Sequence, residues 1–257
     1  MTGRLTSFLD TLSDRRAVRR WARAAAQADL LDLRTLNSLR GRARQARREI
    51  ERLLHAAEAR LAGAVAGDIG PRPPLHGDWA WRPDVWRGPV RPAGHVAAES
   101  RTALAPGVTV FHDCAQSELT VRQIRNKDSG AAATFGLRLD VLRFDGSFLS
   151  LVVDIPEDVA RSMKLRHVVR LDLAVEVERP IEIFARINLR HGPNTEQIVR
   201  ELSLSAGEPM VEFDLACTRM NEKRVEKAWI DLIFEGPAFN QVVLRDLVLS
   251  RSPRAEI

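Results

Sequence analysis

From residue 107 onward apolar and polar residues alternate, and this period of two constrains the fold more than any other feature. Residues 168–178 show it most clearly, with five apolar side chains on one side and mainly charged ones on the other. Successive residues of a strand point to opposite faces, so the pattern predicts a strand with one buried face. Further strands are predicted at 108–112, 119–125, 134–144, 147–155, 181–190, 197–204, 210–216, 227–235 and 240–251. We therefore expect a mainly β domain over 107–257, an antiparallel two-sheet β-sandwich of the jelly-roll type.

Residues 1–66 follow the period of an amphipathic helix instead. Over residues 4–27 apolar residues recur at mostly three- and four-residue steps. A stricter pattern follows, with alternating steps of three and four through Leu36, Leu39, Ala43, Ala46, Ile50, Leu53 and Ala57. This seam is typical of coiled-coil packing, and its alanines allow a partner helix to approach closely. We predict an N-terminal α-helical hairpin that packs on itself or dimerises.

The net positive charge of the chain lies in this helical arm, residues 1–66. The arm holds 14 arginines, no lysine and 7 acidic residues, a net of +7, whereas the rest of the chain has 25 basic and 27 acidic residues. Two rows at four-residue spacing form the basic face of the arm: Arg15, Arg19, Arg23, Arg40, Arg44, Arg48 and Arg52. Like charges at this spacing are mildly unfavourable unless acids or an anionic partner offset them. Three interpretations stay open: a solvated face, contact with phosphate of nucleic acid or an anionic membrane, and docking on an acidic protein.

Residues 67–106 join arm and sandwich, and they combine proline with tryptophan. Seven of the 13 prolines lie here, which excludes regular structure over much of the segment. Trp79, Trp81 and Trp86 also lie here, although a flexible linker has no use for them. We predict an ordered strap whose indoles pack on the remaining protein. The alternative is an aromatic wall for a ligand.

The sequence has no feature that predicts export or membrane insertion. Its start lacks the uninterrupted apolar core of a signal peptide, because Asp10, Asp14 and Arg15 arrive too early. No apolar run approaches the roughly 18–20 residues that span a bilayer. We therefore expect a cytoplasmic protein without a transmembrane segment.

Sequence motifs for catalysis give little support to an enzyme. The six histidines are scattered without metal-ligand spacing, and neither a Gly-x-Ser-x-Gly elbow nor a phosphate loop occurs. A structural calcium at Asp246 has only that one carboxylate in its favour. We therefore expect no cofactor, no metal and a protein that binds rather than catalyses.

The most site-like segment is 186–197, where a polar strand face runs into a loop rich in amides. Its candidate ligand-binding residues are Arg186, Asn188, Arg190, His191, Asn194, Glu196 and Gln197. Amides and carboxylates bind sugar hydroxyls, and the guanidinium of Arg186 or Arg190 binds a carboxylate or phosphate bidentately. The alternative is a Gly-Pro-Asn turn between two ordinary solvated strands.

Two resemblances extend these predictions. The segments Arg166-His-Val-Val-Arg-Leu-Asp-Leu, Trp229-Ile-Asp-Leu-Ile-Phe and Val243-Leu-Arg-Asp-Leu-Val-Leu resemble, in pattern alone, the strand succession of jelly-roll carbohydrate-binding modules over about residues 107–252. The arm, Trp79-Ala-Trp81 and His191-Gly-Pro-Asn-Thr-Glu-Gln resemble an uncharacterised family from the Rhodobacter group of alphaproteobacteria over nearly the whole chain. The first resemblance implies glycan binding. The second implies a bacterial protein and brings no activity with it.

These observations predict a non-enzymatic binding or assembly protein. Its sandwich binds a glycan, another polar ligand or a protein, and its arm mediates homo-oligomerisation or docking on a protein partner. One alternative is a structural protein whose basic arm contacts nucleic acid or an anionic membrane. Another is a glycan-active hydrolase.

Overall fold

A computed structural model of the chain describes residues 3–66, 70–126, 133–204 and 209–254. The chain divides into two compact units, Met1–Leu54 and His55–Ile257. The three segments expected from the sequence, 1–66, 67–106 and 107–257, stay a prediction.

The arm contains two long helices, as the sequence predicts. Helix α1 spans Gly3–Ala26 and helix α2 spans Leu33–Ala66, with a short 3-10 helix at Ala28–Leu30 between them. Asp32 caps α2, because its carboxylate accepts hydrogen bonds of 3.0 Å from the backbone amides of Arg34 and Thr35. None of the helices in the described part of the chain is long and apolar enough to cross a membrane.

The apolar seam of α2 is only partly covered within the first unit. Leu36, Leu39, Ala43 and Ala46 are half-buried, and no side chain of residues 13–54 is fully buried. Ile50 and Leu53, further along the seam, are 57% and 69% exposed. The described part of the arm therefore leaves the second half of the seam open.

In the residues that the structure describes, the second unit contains the last turns of α2, thirteen strands and three short helices. The strands are β1 (Trp79–Trp81), β2 (Gly94–His95), β3 (Thr102–Ala105), β4 (Val108–His112), β5 (Leu119–Arg125), β6 (Phe135–Val141), β7 (Leu149–Asp154), β8 (His167–Val177), β9 (Glu182–His191), β10 (Asn194–Glu201), β11 (Met210–Asp214), β12 (Val225–Glu235) and β13 (Asn240–Pro253). The helices are α3 (Asp84–Arg87), α4 (Glu157–Arg161) and a 3-10 turn at Leu215–Cys217.

These strands form the two antiparallel sheets that the alternating pattern predicts. A seven-stranded sheet has the order β11-β8-β13-β6-β5-β2, with β1 paired to β13. A six-stranded sheet has the order β10-β9-β12-β7-β4-β3. Alternate residues form the core, since Val169, Leu171, Ile183 and Ile187 are fully buried. The expectation of a mainly β sandwich preceded by helices is confirmed.

Residues 70–106 contribute more regular structure than their prolines predict. Strands β1, β2 and β3 lie here, and each is only two to four residues long. Each of them adds to the free edge of another strand: Trp79–Trp81 pairs with Leu249–Arg251 of β13, β2 pairs with β5, and β3 pairs with β4. Trp86 is fully buried, and Trp79 and Trp81 pack at the margin of the core.

Charged groups also attach this segment to β13. The Arg251 guanidinium donates to both carboxylate oxygens of Asp78 at 2.9 and 2.8 Å. These hydrogen bonds lower the pKa of Asp78 despite partial burial. Arg82 forms a second bidentate pair with Asp246, at 2.7 and 2.8 Å. An arginine therefore engages both carboxylate oxygens of Asp246, the residue that the sequence offered for a structural calcium.

Candidate functional site

The solvent-facing side of the six-stranded sheet, which we call the outer face, collects polar side chains around a tryptophan. Strand alternation directs Arg186 and Asn188 of β9 and Trp229 and Asp231 of β12 to this side. The register sets Trp229 between Asn188 on one neighbouring strand and Asp154 on the other. The same register places Asp231 directly opposite Arg186. The outer face is thus assembled from residues that are far apart in the sequence.

Asp231 organises the polar half of the outer face. Its Oδ2 accepts from Arg186 Nε at 2.8 Å, from Arg186 Nη2 at 2.6 Å and from Asn188 Nδ2 at 3.0 Å. Asn188 Oδ1 in turn accepts from Gln197 Nε2 at 2.9 Å. The side chain of Asp231 is only 4% exposed, so the ion pair is well shielded from water on the carboxylate side. Its Oδ1 is buried and accepts no hydrogen bond from any residue that the structure describes.

Trp229 forms the centre of the outer face and is half-buried. Lys227 Nζ lies 5.6 Å from the centroid of the indole ring, within range of a cation–π interaction. The same ammonium is 2.8 Å from Asp154 Oδ1. Lys227 therefore has two partners at once, the indole ring of Trp229 and the carboxylate of Asp154 on the neighbouring strand.

An apolar row lies beside this polar cluster. The next outward-facing positions are Phe184 on β9 and Ile233 on β12, which are direct neighbours in the register, and Phe111 on β4 beyond Ser150. Phe184, Ile233 and Phe111 are half-buried although they point away from the sandwich core. The outer face thus joins an apolar strip to fixed polar groups, which is the usual composition of a ligand-binding surface.

The structure divides the predicted binding residues between the two sides of the sheet. Arg186, Asn188, Arg190 and Gln197 share the outer face, as their alternate positions require. Arg190 lies at its margin, with Nε 3.4 Å from Glu226 Oε2. Both guanidiniums are therefore already paired with acids of the protein.

The other three predicted residues serve the turn and the loop beyond it. Asn194 is exposed at the β9–β10 turn. His191 is buried on the opposite side, where its Nδ1 accepts weakly from the amide of Asn221 at 3.4 Å. Glu196 Oε2 accepts from the amide of Arg219 at 3.2 Å. His191 and Glu196 thus position residues 219–221 and do not join the outer face.

Sequence reasoning missed the residues that β12 and β7 bring to the outer face. Trp229 and Asp231 are two positions apart on one strand, so alternation alone puts them on the same side as Lys227 and Ile233. The sequence alone therefore indicates that these β12 residues share a face. It does not indicate that β12 pairs with β9, because this pairing joins segments about 40 residues apart.

The predicted basic residues of the arm are all exposed. Arg15, Arg19 and Arg23 lie on α1, and Arg40, Arg44, Arg48 and Arg52 lie on α2. Arg40 Nη2 donates to Asn37 at 2.7 Å, and Arg52 Nη1 lies 3.1 Å from Glu49. In the described residues no group of three or more His, Cys, Asp or Glu side chains is placed to hold a metal ion.

Fold and outer face together define a β-sandwich with a tryptophan-centred polar surface. Residues 1–257 match the model of the Family of unknown function (DUF6478), and the chain belongs to this family. The resemblance to an uncharacterised family is thereby confirmed. No curated protein matches the sequence significantly.

Several solved structures match part of the chain at low sequence identity and low TM-score. A family 11 carbohydrate-binding module from Clostridium thermocellum is 10% identical, with a TM-score of 0.39 over 63% of this chain and 98% of that one. The CBM22-1 xylan-binding domain of Paenibacillus barcinonensis Xyn10C is also 10% identical, with a TM-score of 0.37 over 63% and 94%. Bacteriophage CBA120 tailspike protein 4 is 9% identical, with a TM-score of 0.40 over 57% of this chain. The match covers 19% of that tailspike chain.

Proposed function

We propose that the sandwich is a non-catalytic module that binds a neutral glycan on its outer face. The observation that carries this proposal is Trp229, which lies half-exposed between the amide of Asn188 and the carboxylate of Asp154. The apolar side of a sugar ring packs on an aromatic face, and its hydroxyls bind amides and carboxylates at the ring edge. The outer face supplies both kinds of group, since the carboxylate of Asp154 and the exposed amide of Gln197 are accessible near the indole, whereas Asn188 is buried and orders Gln197.

The Asp231 network favours a neutral ligand over an acidic one. Arg186 is held by two hydrogen bonds to Asp231, so its charge is compensated inside the protein. The same carboxylate fixes Asn188, which is bonded to Gln197. Groups held in place before binding lose little conformational entropy on contact with a ligand. Asn188 is itself buried, so the network presents the ordered amide of Gln197 and little net charge.

Lys227 does not prevent stacking on Trp229. Its flexible stem lets the ammonium leave the ring, and Asp154 already lies 2.8 Å from Nζ to receive it. A sugar that stacks on the indole thus replaces the cation–π contact of Lys227, and the ion pair of Lys227 with Asp154 is kept.

The test is isothermal titration of the full chain with neutral β-linked oligosaccharides of the glucan, xylan and galactan series. Trp229→Ala is expected to weaken binding at least about tenfold, which corresponds to roughly 1.4 kcal/mol. Phe239→Ala is the matched control, since Phe239 is an exposed aromatic residue in the β12–β13 turn. The proposal fails if no oligosaccharide of the panel binds, or if the Trp229 and Phe239 variants bind alike.

We also propose that the arm mediates homodimerisation in the cytoplasm, through the seam of α2. The support is the exposure of Ile50 and Leu53 in a strict heptad pattern. Antiparallel pairing, with Ala43 facing Ala46 of the second copy, places Leu39 against Ile50. It brings Arg42 near Glu49, an opposite-charge contact, and Arg40 near Arg47, a like-charge contact. Parallel pairing instead brings Arg42 near Arg47, a like-charge contact that no opposite-charge contact offsets. The charges therefore favour the antiparallel arrangement.

Light scattering coupled to size exclusion tests the dimer on the full chain. The double variant Ile50→Glu/Leu53→Glu is expected to convert a dimer into a monomer, because it buries four carboxylates in the seam. Val18→Glu/Leu61→Glu is the control, since both residues are exposed helix positions outside the seam, at 68% and 69%. A monomeric wild-type chain at tens of micromolar contradicts the proposal.

A further inference from the structure

A cleft of about 460 Å³ lies within the first unit, and arginines line one wall of it. Arg16, Arg19, Arg20 and Arg23 of α1 form this wall, and Leu31 and Leu39 contribute to the remaining lining. The volume is that of a small-molecule site. Only Arg19 and Arg23 belong to the basic face that the sequence predicts, so this grouping is a product of the folded arm.

The spacing of the four arginines explains why they converge. Counted from Arg16, the other three arginines lie three, four and seven residues further on, which places all four on one face of a helix within two turns. The guanidinium of Arg20 lies 5.6 Å from the ring of Trp21, a contact that orders this side chain. The four positive charges thus occupy roughly 10 Å of helix length.

These charges are uncompensated within the described part of the chain. None of the four arginines forms an ion pair or a side-chain hydrogen bond with an acid there. Helix α2 differs, since Arg47 pairs with Glu51 at 2.7 Å and Arg52 with Glu49 at 3.1 Å. Clustered guanidiniums repel one another until an anion neutralises them.

We propose that this cleft binds a small molecule or headgroup that carries at least two phosphate groups. Guanidinium forks match phosphate oxygens bidentately, and four of them exceed what one phosphate needs. Leu31 gives the apolar part of such a ligand a surface to contact. The four arginines span only roughly 10 Å of helix, a smaller area than the contacts of a nucleic-acid duplex cover. This binding is independent of the glycan site on the sandwich.

Titration of the full chain with tripolyphosphate measures the binding. Arg16→Gln/Arg19→Gln/Arg23→Gln is expected to weaken it roughly a hundredfold, because several charge-assisted hydrogen bonds are lost. Arg40→Gln/Arg44→Gln/Arg48→Gln is the matched control, since it removes the same charge from α2 outside the cleft. This control is expected to change binding less than about fivefold. Glutamine is a good helix former, so circular dichroism is expected to show equal helix content in both variants.

A second measurement, of vesicle binding, distinguishes a lipid headgroup from a free polyphosphate. Vesicles of phosphatidylcholine with and without phosphatidylinositol bisphosphate are sedimented with the wild type and with both triple variants. Binding that needs the bisphosphate and the cleft arginines identifies a lipid headgroup, whereas tripolyphosphate binding without vesicle binding identifies a free polyphosphate. Equal losses in the two triple variants overturn the proposal, because only net charge then matters. It is also overturned if neither probe binds, or if duplex DNA alone does.

Discussion

Replacing Trp86 with alanine is expected to lower the free energy of unfolding of the sandwich by about 3–5 kcal/mol. The indole is fully buried, and its Nε1 donates to the carbonyl of Leu244 at 3.0 Å. The variant therefore loses packing and leaves that carbonyl without this donor. Urea unfolding followed by far-UV circular dichroism measures the change.

The surroundings of Trp86 limit how far this site can relax. The side chain of Gln123 donates to the carbonyls of Val85 and Gly88, at 2.6 and 2.9 Å, and accepts from the amide of Val90 at 2.9 Å. These bonds hold helix α3 against β5 from both ends. A cavity whose walls are held apart cannot collapse, which places the expected loss at the upper part of the range.

Two further variants separate packing from function. Trp86→Phe keeps most of the buried volume and loses the hydrogen bond, so a loss of about 1–2 kcal/mol is expected. Trp229→Ala removes a half-buried side chain from the outer face, so it is expected to destabilise less than Trp86→Ala. A loss below about 1 kcal/mol for Trp86→Ala contradicts the role of the strap segment as part of the core.

Local alternation predicts which residues of one strand share a face, but not which strands pair. Alternation predicts that Arg186 and Asn188 share a face, and it equally separates Arg190 from His191, which the grouping of residues 186–197 overlooked. Asp231 and Trp229 needed the register of β12 against β9, which depends on packing between distant segments. Strand β1 needed a partner about 170 residues away, so its short local pattern carried no signal.

The ion pair between Arg82 and Asp246 depends on this same non-local pairing. Arg82 follows β1 directly, and Asp246 follows the irregularity in β13 between Leu244 and Asp246. The side chains are 3% and 11% exposed, and Asp246 Oδ1 also accepts from the amide of Leu247 at 2.8 Å. Two charges have therefore been removed from water at a point where the strap segment meets the last strand.

Asp246→Leu is expected to lower the free energy of unfolding by about 3–5 kcal/mol, because it leaves a buried guanidinium without this carboxylate. The double variant Arg82→Met/Asp246→Leu is expected to be more stable than the single one, since apolar residues of similar size carry no desolvation penalty. Urea unfolding of wild type, both single variants and the double variant completes the cycle. A coupling energy of about 2 kcal/mol or more is expected between two groups in direct contact.

An exposed pair of the same chemistry provides the control for this cycle. Arg47 and Glu51 lie 2.7 Å apart but are 77% and 56% exposed. Exposed pairs contribute little, so Arg47→Met is expected to change the free energy of unfolding by less than about 1 kcal/mol. Equal effects of Asp246→Leu and Arg47→Met contradict the argument, as do strictly additive effects at Arg82 and Asp246. Either result means that burial does not control the strength of the Arg82–Asp246 pair. The backbone pairing of β1 with β13 is then sufficient to hold residues 70–106 in place.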